Sequence, residues 1–147
     1  MPRRPRLLLI DDEADFRETI RARLIADGFE VLTAASGPEG IEALSRQTAD
    51  LILLDMLMPG QGGIATYQEI RAVPSLRQIP IILLTGVAPQ GHWERMPFET
   101  DELAYIMGKP YELAVLLDRI THVLAEANRR AEEEGRDSPD GGGRTGT

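Results

Sequence analysis

Apolar residues along this chain follow two alternating rhythms. Short continuous runs, Leu7-Leu8-Leu9-Ile10, Leu51-Ile52-Leu53-Leu54 and Ile79-Pro80-Ile81-Ile82-Leu83-Leu84, read as strands buried on both faces. Continuous rather than alternating apolarity is what a parallel sheet covered by helices requires. Weaker runs of the same kind are Glu30-Val31-Leu32-Thr33 and Leu103-Ala104-Tyr105-Ile106-Met107. Pro80 has no backbone N–H to give to a ladder, so it belongs at the start of its strand.

Helical periodicity fills the gaps between these runs. Phe16, Ile20 and Leu24 recur four apart, and Gly28 follows as a stop. Ser36 and Glu39 have capping-box spacing around Pro38, opening a helix that carries Ile41 and Leu44. A weaker pattern predicts a third helix from about Ile64 to Arg71. Leu113, Leu116, Leu117, Ile120, Val123 and Leu124 form one stripe along a last helix.

The order β-α-β-α-β-α-β-(α)-β-α, joined by right-handed crossovers, predicts a doubly wound, five-stranded parallel α/β sheet with helices on both faces. Pro89, Gly91 and Pro97 punctuate the region of the fourth helix, so a long loop with a short or late helix is expected there. From Arg129 the pattern ends in charges and Gly141-Gly142-Gly143. The expected division is therefore one domain over residues 1–128 and a disordered tail over 129–147.

Composition narrows the function. A formal net charge of −8 argues against nucleic acid as a partner, because a phosphate backbone wants a basic stripe. With no cysteine, the chain has neither disulfides nor a thiolate metal site, which fits a reducing cytoplasm. The basic start, Met1-Pro2-Arg3-Arg4-Pro5-Arg6, is followed by only four apolar residues before Asp11, too few for a secretory leader. No stretch approaches the roughly 20 apolar residues of a membrane helix.

Chemistry gathers at the strand ends. The first strand ends in Asp11-Asp12-Glu13, the third in Asp55, the fourth in Thr85-Gly86, and the fifth just before Lys109-Pro110. In open α/β sheets ligands bind outside the carboxyl ends of the strands. Each residue alone has an ordinary explanation. An acidic pair suits a helix N-terminus, an Asp such as Asp55 can close a turn, and Thr85 is a normal strand residue. Lys109 is nevertheless the only lysine beside fifteen arginines, and a compact ammonium suits a single oxygen better than a guanidinium does. Three carboxylates crowded at one edge call for a hard cation, and oxygen-only ligands favour magnesium or manganese. A carboxylate nucleophile, a metal, a hydroxyl and an ammonium together make a phosphoryl-transfer site.

The motifs Asp11-Asp12, Asp55-Met56-Leu57-Met58-Pro59-Gly60 with Gly63, Thr85-Gly86 and Lys109-Pro110 resemble those of the receiver domain of two-component response regulators, over roughly residues 6–128. The resemblance implies a flavodoxin-like strand order, 2-1-3-4-5. It implies Asp55 as phosphoacceptor, with Asp12, Asp55 and the Leu57 carbonyl holding Mg2+ or Mn2+ and Asp11 helping through water. Thr85 would hydrogen-bond the phosphoryl group and Lys109 would pair with one of its oxygens. Pro110 matches a cis-prolyl position, and Gly86 a position that leaves the phosphoryl group room. The donor would be a histidine kinase or a phosphotransfer protein, and the product a conformational signal to a downstream protein rather than turnover of a substrate. The expected form is a stand-alone cytoplasmic protein, a monomer or a phosphorylation-dependent dimer, with no membrane or nucleic-acid partner.

The sequence departs from that pattern at Ile106, where the family usually carries Tyr or Phe; Tyr105 lies one place earlier, on the opposite strand face. Leu57 and Val87, at positions that tune hydrolysis in the family, are both apolar and predict a long-lived phosphorylated state. Two other readings remain open here. One is a receiver-fold interaction module that signals without phosphorylation. The other is a phosphatase of the haloacid dehalogenase type, whose nucleophile would instead end the first strand.

Overall fold

The computed structural model describes residues 3–56, 62–85, 101–108 and 112–137. The elements are β1 (Arg6–Ile10), α1 (Ala14–Ala26), β2 (Glu30–Ala34), α2 (Gly37–Arg46), β3 (Leu51–Asp55), α3 (Gly62–Ala72), a 3-10 turn (Pro74–Leu76), β4 (Ile81–Thr85), β5 (Ala104–Gly108) and α4 (Leu113–Asp137). All strand pairs are parallel, in the order β2-β1-β3-β4-β5. The predicted fold class and strand order are both present.

Every residue of β3 and β4 is buried, which is why those segments read as unbroken aliphatic runs. Two cores flank the sheet. Leu8, Ile10, Ile52, Leu54, Ile81 and Leu83 point to the face covered by α2 and α3. Leu7, Leu9, Leu51, Leu53, Ile82 and Leu84 point to the face covered by α1 and α4. Ile106 packs on the first face and Tyr105 on the second, as strand alternation requires.

Local signals act where the sequence places them. After α1, Gly28 adopts φ 98°, and the amides of Gly28 and Phe29 donate back to the carbonyls of Ile25 and Leu24, closing the helix with a Schellman motif. Ser36 Oγ accepts from the Glu39 amide at 3.3 Å. The returning bond differs by one residue from a capping box, because Glu39 Oε2 accepts from Ala35 rather than from Ser36. Pro80 directly precedes β4, and its carbonyl still accepts from Ile52 at 3.0 Å.

One expectation is corrected. Residues 129–137 are not disordered: α4 continues to Asp137. Its later turns need no apolar stripe, since Arg130 pairs with Glu102 at 2.8 Å and with Glu126, four residues earlier, at 3.8 Å. Residues 138–147 and the region of the doubtful fourth helix lie outside the described residues. Among the described residues, no helix is long and apolar enough to cross a membrane.

Candidate functional site

The sheet's parallel register sets the site. β1 and β3 pair Ile10 with Leu54, so the residues that follow, Asp11 and Asp55, leave adjacent strands at the same level. Ladder bonds continue one step past each strand. The Asp11 amide donates to Ala34, and the Met56 amide to Leu84 at 2.9 Å. Both carboxylates are thereby held on backbone that cannot swing. Asp11 is 1% exposed and Asp55 4%, whereas Asp12, on the β1–α1 connection, is open to solvent.

Asp11, Asp12 and Asp55 each offer an oxygen, and the three oxygens lie within 4.8 Å of one another. Two unit charges at that separation repel by about 3.5 kcal/mol at an effective dielectric near 20. A divalent cation relieves all three repulsions at once, and the donor set is all oxygen, as magnesium and manganese require. The arrangement therefore fits a hard divalent ion whose open positions are available to phosphate oxygens.

Thr85 ends β4, the strand next to Asp55, and is 2% exposed. Its register partner is Gly108 of β5, the residue immediately before Lys109. Lys109, Pro110, Gly86, Leu57 and Val87 lie outside the described residues, so the predicted site is seen in part: Asp11, Asp12, Asp55 and Thr85 share one edge, and Ile106 lies inside β5 below it.

Gly63 has a steric reason for being glycine. A Cβ there would stand 2.5 Å from the Met56 Cα and 2.8 Å from the Asp55 carbonyl oxygen. The first turn of α3 thus rests directly on the backbone of the strand end that carries Asp55.

Two features escaped sequence reasoning. Arg17, one turn into α1, donates from Nη1 to the Asp11 carbonyl at 2.7 Å. Tyr67, Arg71 and Asp101 form a half-buried polar cluster at the other end of β5: Asp101 Oδ2 accepts from Tyr67 at 2.5 Å and from Arg71 Nε at 2.7 Å, and Oδ1 accepts from the Leu103 amide at 2.9 Å. Burial opposes ionisation of Asp101, but the hydrogen bonds from Tyr67, Arg71 and the Leu103 amide outweigh it and hold the carboxyl below its ordinary value. Burial and the Asp101 carboxylate together push the Tyr67 hydroxyl up to about 12.

Comparison with known proteins adds a family. The sequence model of the response regulator receiver domain matches residues 7–121. Among curated relatives, the response regulator PleD of Caulobacter vibrioides is 33% identical over 116 residues, covering 78% of this chain and 25% of that protein. The transcriptional regulatory protein AfsQ1 of Streptomyces coelicolor is 35% identical over 144 residues, covering 91% of this chain and 56% of that protein. The chain thus spans between about a quarter and just over half the length of these relatives. A putative response regulator from Chloroflexus aurantiacus superposes with a TM-score of 0.73 at 28% identity, covering 84% of this chain and 99% of that one. The chemotaxis protein CheY4 of Vibrio cholerae shares the fold, with a TM-score of 0.74 at 24% identity over 82% of this chain and 98% of that one.

Proposed function

Because this chain belongs to the response regulator receiver domain family, we propose that it is a phosphorylation switch whose phosphoacceptor is Asp55. Receiver domains are phosphorylated by histidine kinases and act on downstream targets. The observation that supports Asp55 here is its place: a buried carboxylate at the end of a fully buried strand, within 4.8 Å of Asp11 and Asp12.

In this reading a histidine kinase or phosphotransfer protein presents a phosphohistidine. An Asp55 oxygen attacks the phosphorus and forms the new P–O bond. The P–N bond breaks, and its electron pair stays on the imidazole nitrogen, which is then protonated. Asp11, Asp12, Asp55 and the Leu57 carbonyl are the proposed holders of Mg2+, which when bound neutralises the carboxylates and the phosphoryl oxygens. Burial of Asp55 keeps bulk water from competing for the same phosphorus. The Thr85 hydroxyl stands on the neighbouring strand as a donor to a phosphoryl oxygen, and Lys109 is the proposed counter-charge. Phosphorylation adds about −1.5 to −2 charges to this edge, enough to favour a second packing of β4, β5 and the helices beside them. The product is a signal passed by contact, so the protein is a switch and not a turnover enzyme. A cytoplasmic setting follows from the proposed donor.

Ile106 favours one competing reading, a receiver that signals without phosphorylation, because an aliphatic side chain packed on the α2–α3 face cannot make an aromatic swing. One assay separates the two. Incubation with an acyl phosphate and magnesium, read by intact mass, is expected to add one phosphoryl group to the wild type and none to Asp55→Asn. An unmodified wild type would establish the phosphorylation-independent reading instead.

A further inference from the structure

Among the described residues, Asp11 is held by three hydrogen bonds. Its amide donates to the Ala34 carbonyl at 3.0 Å, its Oδ1 accepts from the Glu13 amide at 2.9 Å, and its backbone carbonyl accepts from Arg17 Nη1 at 2.7 Å. The third is the unexpected one. Where a guanidinium pairs with a carboxylate the contact is frequently bidentate. Arg17 forms no ion pair among the described residues, and its short, charge-assisted bond goes to a peptide oxygen. Its guanidinium holds backbone, not a carboxylate of the cluster.

That choice of acceptor has a geometric effect. The Asp11 carbonyl and the Asp12 amide belong to one rigid peptide plane. Holding the oxygen fixes the plane, and the plane fixes where the chain delivers the Asp12 Cα. Asp12 is exposed, so burial does not aim its carboxylate. Arg17 is itself anchored, half-buried in α1, with its amide bonded to the Glu13 carbonyl at 2.9 Å. The helix is therefore the rigid arm and the guanidinium its fingertip.

We infer that Arg17 is a positioning residue for the divalent-cation site: by holding the Asp11–Asp12 peptide it sets the approach of both carboxylates to the ion. This rests on the metal site proposed above. Two physical effects of opposite sign make the role measurable. As a bare positive charge beside the site, Arg17 repels a cation, so removing it should tighten binding. As a positioning group, it should loosen binding when lost, by about tenfold for groups that orient metal ligands from behind.

Manganese, titrated against the full chain and followed by the loss of the free-ion paramagnetic resonance signal, reads the sign directly. Wild type, Arg17→Met and Asp12→Asn are compared, each also melted in chelator. Arg17→Met is expected to bind Mn2+ about tenfold more weakly, to melt in chelator near the wild-type temperature, and to regain its phosphorylation rate at saturating metal. Equal or tighter binding by Arg17→Met overturns the inference. If the methionine variant does not fold, Arg17→Gln takes its place, with the same result expected and the same result overturning the inference. A wild type that binds no Mn2+, or an Asp12→Asn variant that binds as the wild type does, would overturn the metal site itself and the inference with it.

Discussion

Gly63 is where a single methyl group meets the site. An added Cβ has backbone on two sides, the Met56 Cα and the Asp55 carbonyl, and neither can rotate away. Overpacking of this kind costs roughly 1–3 kcal/mol, while an alanine gains at most about 1 kcal/mol in helix propensity over glycine. Gly63→Ala is therefore expected to lower the urea midpoint and to slow phosphorylation, since the strand end that carries Asp55 must shift. A variant with wild-type stability and rate would show that the α3 turn has slack here. The carboxylates themselves obey a simpler rule. Asp11 and Asp55 each follow a run of four aliphatics, and an ion at the tip of a buried strand needs a reason. Asp12 stood out only as the second half of an acidic pair, and it was the combination that pointed to a site. Arg17 was not conspicuous, because its partner is a backbone oxygen, and a carbonyl has no letter in the sequence.

Among the elements, the coupling of α3 to the entry of β5 is the least expected. Tyr67 and Arg71 come from α3 and Asp101 from the turn before β5, 34 and 30 positions further along the chain. Arg71 also donates to the Leu76 carbonyl at 2.9 Å and lies over the Tyr67 ring at 5.7 Å. Removing Arg71 leaves the partly buried Asp101 carboxylate with only the Tyr67 and Leu103 donors among the described residues, and losing a hydrogen bond to a charged group costs about 1.5–3 kcal/mol. Arg71→Ala should show a loss of that size in urea unfolding at neutral pH. The pH dependence has two arms. Tyr67 is raised from 10.0 to about 12, so its neutral form favours the folded state. That contribution is complete below pH 10 and is lost as pH rises through about 12. Asp101 is lowered, so its contribution is present at neutral pH and lost as pH falls through its depressed value. Tyr67→Phe should flatten the alkaline arm of the stability profile; an unchanged arm would mean that another group titrates there. This cluster was illegible in the sequence, since nothing in the spacing of Tyr67, Arg71 and Asp101 announces a contact across two elements.

For the whole molecule, the sheet was legible and the last helix only partly so. Runs such as Leu51–Leu54 and Ile81–Leu84 are apolar throughout because helices cover both faces, and that burial is what a continuous run encodes. The stripe from Leu113 to Leu124 ends where α4 passes the sheet. At 1.5 Å per residue the helix is about 37 Å long, roughly twice the reach of a five-residue strand. Its remaining turns are held by Arg130, Glu126 and Glu102 and by helix propensity, which a search for apolar periodicity does not register. Four strand-edge residues, Asp11, Asp12, Asp55 and Thr85, come together from three separate β-to-α connections and strand ends. That convergence at the carboxyl ends of three neighbouring strands is what supports a phosphoryl-transfer site.

The most direct test locates the phosphoryl group. The chain is treated with an acyl phosphate in magnesium or in chelator, the labile acyl phosphate is trapped by reduction, and the modified residue is identified by peptide fragmentation. Modification confined to Asp55 and abolished by the chelator is the expected result. Modification at Asp11 or Asp12, or at Asp55 with equal yield in chelator, would contradict a metal-assisted phosphoacceptor at the end of β3.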